Sequence, residues 1–130
     1  MVKVWTNGCF DVLHRGHLEM LKYAKSLGDV LVGGVDSDRK VSKDKGPSRP
    51  FNTLDNRLAI LQELRCVDEV VSFNSTEELE KCIQERHPDY LVVGSDWRGK
   101  KVIGQEYAKN ICFFERIGSF STTQILEYLK

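Results

Sequence analysis

Between Asp29 and Asp36 the chain reads Val30-Leu31-Val32-Gly33-Gly34-Val35, an unbroken run of aliphatic and glycine residues. A strand with one wet face alternates apolar and polar residues, whereas a run without alternation suits a strand covered on both faces. Such strands belong to parallel sheets enclosed by helices, so this segment argues for an α/β fold. The rest of the chain supplies matching partners. Residues 2–6 form a short apolar strand that ends at Asn7-Gly8. Leu18, Leu21, Tyr23, Ala24 and Leu27 follow helical spacing from about His17, and Gly28 stops that helix. Thr53 or Asn52 is placed to cap a second helix with Leu54, Leu58, Ile60, Leu61 and Leu64 on its apolar face. A third strand is expected over Glu69–Phe73. Ser75-Thr76-Glu77-Glu78 opens a third helix that buries Leu79, Cys82 and Ile83 and ends at His87-Pro88. Strands over 90–93 and 111–114, a weaker helix over 104–109 and a last helix over 122–129, capped by Ser121 or Thr122, complete the pattern. Residues 36–50 carry Lys40, Lys43, Lys45 and Arg49 with Gly46, Pro47 and Pro50, which reads as a mobile basic loop.

A length of 130 residues with 41% hydrophobic content suits a single domain spanning 1–130, with a mainly parallel five-stranded sheet between helical layers. Nineteen Lys plus Arg balance nineteen Asp plus Glu, which argues against a dedicated nucleic-acid or membrane-surface binder but permits a local basic pocket. The four cysteines show no C-x-x-C spacing, so no zinc site is expected, and Cys66, Cys82 and Cys112 read as small core hydrophobes. The opening residues carry no secretory pattern and no apolar run approaches the ~20 residues of a membrane span, so a cytoplasmic, reduced protein is the expectation.

In parallel α/β sheets ligands bind beyond the carboxyl ends of the strands. The polar clusters of this chain each follow a strand, around 7–17, 40–49, 95–100 and 116–123. The sharpest is His14-Arg15-Gly16-His17 at a strand-to-helix turn. Two imidazoles there can face one ligand, Gly16 lets the backbone pass close, and the helix start favours an anionic phosphate. Imidazolium donors aimed at a phosphoryl group would stabilise charge that builds in a transition state. Taken alone, H-x-x-H also fits two surface histidines or half a metal site. A metal-dependent hydrolase would need a third ligand, and no carboxylate or further histidine stands at ligand spacing, so no metal ligands are assigned.

The stretch Gly8-Cys9-Phe10-Asp11-Val12-Leu13-His14-Arg15-Gly16-His17 resembles the G-x-F-D-x-x-H-x-G-H signature of the cytidylyltransferase-like nucleotidyltransferases. Ser121-Thr122-Thr123 resembles that family's second signature near its last helix. The resemblance implies a Rossmann-like nucleotidyltransferase fold and a nucleoside triphosphate, carried with Mg²⁺, whose α-phosphorus is attacked in line by a phosphorylated acceptor. It implies histidines on the triphosphate, Ser/Thr hydroxyls on the outer phosphates and a homodimer. Carried onto this chain, His14, His17, Lys43, Lys45 and Arg116 would be catalytic. Gly8, Cys9, Phe10, Gly16, Gly94, Asp96, Trp97, Ser121, Thr122 and Thr123 would bind nucleotide, and Asp11 and Arg57 the substrate.

Two subfamilies share the matches. Gly94-Ser95-Asp96-Trp97-Arg98-Gly99-Lys100 and the Arg116 that precedes Ser121-Thr122-Thr123 are similar to glycerol-3-phosphate cytidylyltransferases, although the residues between Arg116 and Ser121 depart from that pattern. Residues 6–11 and 45–57 are similar to the nucleotidyl domain of ADP-heptose synthases, which usually lack the arginine. A guanidinium at Arg116 could donate to the O2 of cytosine, a carbonyl that adenine lacks; it could equally pair with Glu115 or a phosphate. The balance favours CTP and a small phosphorylated alcohol such as glycerol 3-phosphate. Transfer from ATP to a heptose 1-phosphate-like sugar is the alternative, a phosphonate or other polyol phosphate stays open, and a nucleotide-binding module without turnover is the rival of another class.

Overall fold

Five strands build one sheet, β1 (Lys3–Gly8), β2 (Val30–Asp36), β3 (Glu69–Phe73), β4 (Tyr90–Gly94) and β5 (Asn110–Phe114). Their order is β3-β2-β1-β4-β5, and every neighbouring pair is parallel. The computed structural model describes residues 1–115 and 121–129. Helices α1 (Arg15–Ser26), α2 (Asp38–Lys45), α3 (Leu54–Gln62), α4 (Thr76–Arg86) and α5 (Thr122–Tyr128) connect or flank the strands.

The sheet is apolar on both faces, as the β2 run requires. On one face Val4, Leu31, Val35 and Val92 pack with Leu21 and Ala24 of α1 and Leu61 of α3. On the other, Trp5, Val32, Phe73 and Leu91 pack with Leu79 and Ile83 of α4 and with Val102. Adjacent residues such as Val4 and Trp5, or Leu91 and Val92, enter opposite cores because strand side chains alternate. The chain runs outward from β1 to β3, then returns to place β4 on the other side of β1. That reversal opens a crevice at the carboxyl ends of β1 and β4.

Several local expectations need correction. The segment read as a loop contains α2: Ser37 Oγ accepts from Lys40 N, Asp38 sits in the first turn, and Lys40 pairs with Asp36 and Asp44 one turn to either side. Gly46, at φ 108°, ends the helix, so the glycine and prolines punctuate only the residues beyond it. Residues 104–109 form a 3₁₀ turn, Gln105–Tyr107. Thr53 sits at the α3 N-cap without a side-chain cap bond, and Ile60 is exposed rather than core. Among the cysteines Cys9 is buried, whereas Cys66, Cys82 and Cys112 are only partly buried against the cores. No helix of the described residues is long and apolar enough to cross a membrane.

Candidate functional site

The turn from β1 to α1 is strained and heavily tied. Phe10 and Val12 take φ values of 52° and 47°, a left-handed conformation that is unfavourable for side chains of their size, most of all for β-branched Val12. Three remote elements hold it. Arg57 Nη1 donates to Cys9 O at 2.8 Å, and Thr122 Oγ1 donates to Asp11 O at 2.7 Å, with Val12 O at 3.2 Å. The Asp11 carboxylate accepts from Phe51 N and Asn52 N at 2.6 and 2.9 Å, and Arg49 Nε stands 3.7 Å from it. Phe10 packs into the core formed with α1 and α3.

This rigid turn delivers the two histidines. His14 is the N-cap of α1, its Nδ1 accepting from Gly16 N at 3.0 Å, while His17 Nδ1 accepts from His14 N at 3.2 Å. Each ring therefore presents Nδ1 as an unprotonated acceptor, which puts the ring proton on Nε2. The rings lie 3.9 Å apart. Burial, then the charges of His14 and Lys45, push the His17 pKa down from 6.5 to about 4, with Asp11 opposing. His17 is thus a neutral Nε2–H donor, not the imidazolium that phosphate binding first brings to mind, and His14 presents the same Nδ1 acceptor geometry beside it.

His14, His17 and Gly16 line a cleft of about 320 Å³ with Gly94, Asp96, Trp97, Ser121, Thr122, Thr123 and Lys45. Of the residues expected to meet a nucleotide, these come together. Gly8 and Cys9 line instead a neighbouring cleft of about 410 Å³, which shares Lys45, Gly94, Met20 and Trp97 with the first. Lys43 is exposed and lines neither cleft. Arg116 lies outside the described residues; its proposed partner Glu115 pairs with Arg98 at 3.3 Å. Arg57, expected on a substrate phosphate or a solvated helix face, is 1% exposed and donates to Cys9 O, Asp36 O, Asn52 O and Asp38 Oδ1. It is a strut joining the ends of β1 and β2 to α3. Thr122 likewise commits its hydroxyl proton to the turn. Asp11 orients the 49–52 segment.

The second cleft holds residues that pattern reading did not select. Asn7, Asp36, Lys40 and Asp44 line it. Lys40 Nζ is 2.8 Å from Asp44 and 3.5 Å from Asp36, whose carboxyl is pushed up by burial and held back by Lys40. The available signal was positional, since Asn7 and Asp36 stand at the carboxyl ends of adjacent strands. Arg49, one of the charges of the 36–50 segment, has a side chain only 11% exposed, and its Nε and Nη2 have no hydrogen-bond partner among the described residues. Among the described residues no group of three His, Cys, Asp or Glu could cage a metal. Asp96 on the cleft wall suits an ion that arrives on a triphosphate and keeps part of its water shell.

A parallel sheet with this reversal, bearing a histidine pair at the first strand-to-helix turn, defines a nucleotidyltransferase-type domain. The cytidylyltransferase-like family profile matches residues 5–111, and the chain belongs to that family. It is 46% identical over 127 residues to the bifunctional protein HldE of Helicobacter hepaticus, covering 98% of this chain and 26% of that protein. The HldE of Sulfurimonas denitrificans is also 46% identical, over 129 residues, with 98% and 26% covered. The chain therefore spans about a quarter of the length of these relatives. Among solved structures, a lipopolysaccharide core biosynthesis protein from Thermoplasma volcanium superposes with TM-score 0.70 at 29% identity, covering 93% of this chain and 99% of that one. A protein of unknown function from Archaeoglobus fulgidus shares the fold at TM-score 0.65 and 21% identity.

Proposed function

We propose that this chain transfers an adenylyl group from ATP to a heptose 1-phosphate-like sugar phosphate and releases pyrophosphate. One observation carries the choice over CTP and glycerol 3-phosphate. The two segments similar to ADP-heptose synthases, residues 6–11 and 45–57, are bonded into one unit by Asp11 to Phe51 and Asn52 and by Arg57 to Cys9. Changes in such a unit must be made together, so the two matches reinforce each other. The segment similar to cytidylyltransferases, residues 94–100, pairs instead with the end of β5, through Arg98 and Glu115. The high identity to HldE proteins across nearly the whole chain supports the same reading.

In this reading the triphosphate lies in the first cleft. His14 and His17 donate from Nε2 to phosphate oxygens, and because both rings are fixed through Nδ1 and His17 is already neutral, no ring need turn as charge builds. Lys45, shared by both clefts, brings its ammonium to the junction where donor and acceptor phosphates meet. A phosphate oxygen of the sugar attacks the α-phosphorus in line, the bond from the α-phosphorus to the α–β bridging oxygen breaks, and pyrophosphate leaves with that electron pair. Asp96 on the cleft wall would share a Mg²⁺ carried on the triphosphate, and that ion would supply charge neutralisation there. The second cleft, with carboxylates beside ammonium groups, provides acceptors and donors for a hydroxyl-rich sugar. Pyrophosphate release from ATP and CTP, each paired with a heptose 1-phosphate and with glycerol 3-phosphate, is the test. Highest catalytic efficiency is expected for ATP with the heptose phosphate. Preference for CTP with glycerol 3-phosphate would overturn the proposal.

A further inference from the structure

The second cleft contains an amide whose orientation is set from beneath. Asn7 and Trp5 are two residues apart on β1 and share a face of the sheet. Trp5 is 1% exposed, and its Nε1 donates to Asn7 Oδ1 at 2.9 Å. An indole nitrogen can only donate, so this contact decides which end of the carboxamide is oxygen and which is nitrogen. The oxygen is turned to the indole and the Nδ2 group is left as the donor end. Asn7 lines the cleft, and among the described residues no hydrogen bond takes up Nδ2.

The space for the indole is also specific. Asn7 pairs in register with Gly34 of β2. A Cβ at Gly34 would stand 2.4 Å from Trp5 Cζ2 and 3.1 Å from Asn7 Cβ, so glycine is what allows the ring to lie below the amide. Holding a polar side chain on a buried donor costs side-chain freedom and a packing site, which a solvated asparagine would not need.

We propose that Asn7 is a specificity-determining residue of the acceptor cleft, its Nδ2 donating to a sugar hydroxyl or phosphate oxygen of the acceptor. Trp5 is its positioning residue and Gly34 makes room for Trp5. The inference rests on the sugar-phosphate reading above and adds the group that orients the sugar. An acceptor lacking the matching oxygen leaves the donor unpaired in the cleft, and that is how a site built around one hydrogen bond rejects close analogues.

Steady-state kinetics of the whole chain with ATP and a heptose 1-phosphate separate the possibilities. Asn7→Ala, and Asn7→Asp as the isosteric change that preserves the contact to Trp5, should each raise the acceptor KM on the order of tenfold, with the ATP KM within about twofold. Trp5→Phe, which removes only the indole donor and one ring, should raise the acceptor KM less. Made in the Asn7→Ala background, it should add nothing, because its effect passes through Asn7. The inference is overturned if Asn7→Asp leaves the acceptor KM unchanged, or if Trp5→Phe acts equally in both backgrounds. If the parent turns over no sugar phosphate, the proposed function falls and takes this inference with it, an outcome distinct from an active parent with indifferent variants.

Discussion

The turn at residues 9–17 and the segment at residues 38–50 both bring positively disposed groups to the same cleft, by opposite means. The turn is tied by hydrogen bonds from α3, α5 and the 51–52 backbone, its imidazoles are fixed through Nδ1, and His17 is held neutral. The lysine segment is anchored at its two ends, by Asp38 to Arg57 and by Arg49 to Thr123 and Asp11, while between them Lys40 pairs with Asp36 and Asp44 and Lys45 stays exposed. The difference teaches a division of labour. A donor that must be in place before charge develops is held rigidly and left uncharged, while a full charge that would be costly to bury stays solvated until a ligand arrives.

The largest effects should come from the turn. His17→Ala should lower kcat/KM for pyrophosphate release at least a hundredfold, about 3 kcal/mol, with the circular dichroism spectrum unchanged. His14→Ala should do the same and also lose roughly 1 kcal/mol of stability with the α1 cap. His14→Asn, which can restore the cap acceptor, should recover the stability in urea denaturation but not the turnover. Recovery of both would reduce His14 to a cap. Asp11→Asn comes next: one main-chain N–H loses its acceptor and Arg49 loses its counter-charge, at a cost of about 2–3 kcal/mol in thermal unfolding. A stable Asp11→Asn protein would mean the turn holds its shape without that tie.

Acid sharpens the contrast further. The folded-state pKa of His17, about 4, lies below the unfolded 6.5, so the unfolded chain binds the extra proton. The neutral ring's contribution is complete above pH 6.5 and is lost as pH falls towards 4, on the order of 2 kcal/mol by pH 5. His17→Asn should flatten that slope between pH 6.5 and 5 in urea titrations. An unchanged slope would assign it to other groups. The smallest effect belongs to the lysine segment. Lys45→Ala should raise the ATP KM about tenfold with little change in stability, whereas Lys43→Ala, lining neither cleft, should stay within about twofold. Equal effects of the two would mean that general charge, not placement, matters there.

The layered fold was legible because the unbroken apolar run of β2 and the helical periods of α1, α3 and α4 are signals tied directly to burial. The histidine pair was legible because it stands at a strand-to-helix turn. Helix α2 was missed since its apolar face is one residue, Val41, and its stability comes from Ser37 capping and ion pairs of Lys40. Arg57 and Thr122 were read as ligand contacts because their bonds to the turn span 48 and 111 residues of sequence, and no local pattern reports such pairings. Asn7 escaped for the same reason at short range: its role depends on which way an amide faces, and Trp5 decides that from inside the sheet.

His17 waits as a neutral Nε2–H donor beside His14. Nitrogen-15 NMR of histidine-labelled protein across pH 4 to 8 tests it directly. At neutral pH, Nδ1 of His17 should show the shift of an unprotonated nitrogen with Nε2 protonated, and the ring should titrate only near pH 4. A His17 ring doubly protonated at pH 7, or one carrying its proton on Nδ1, would contradict it.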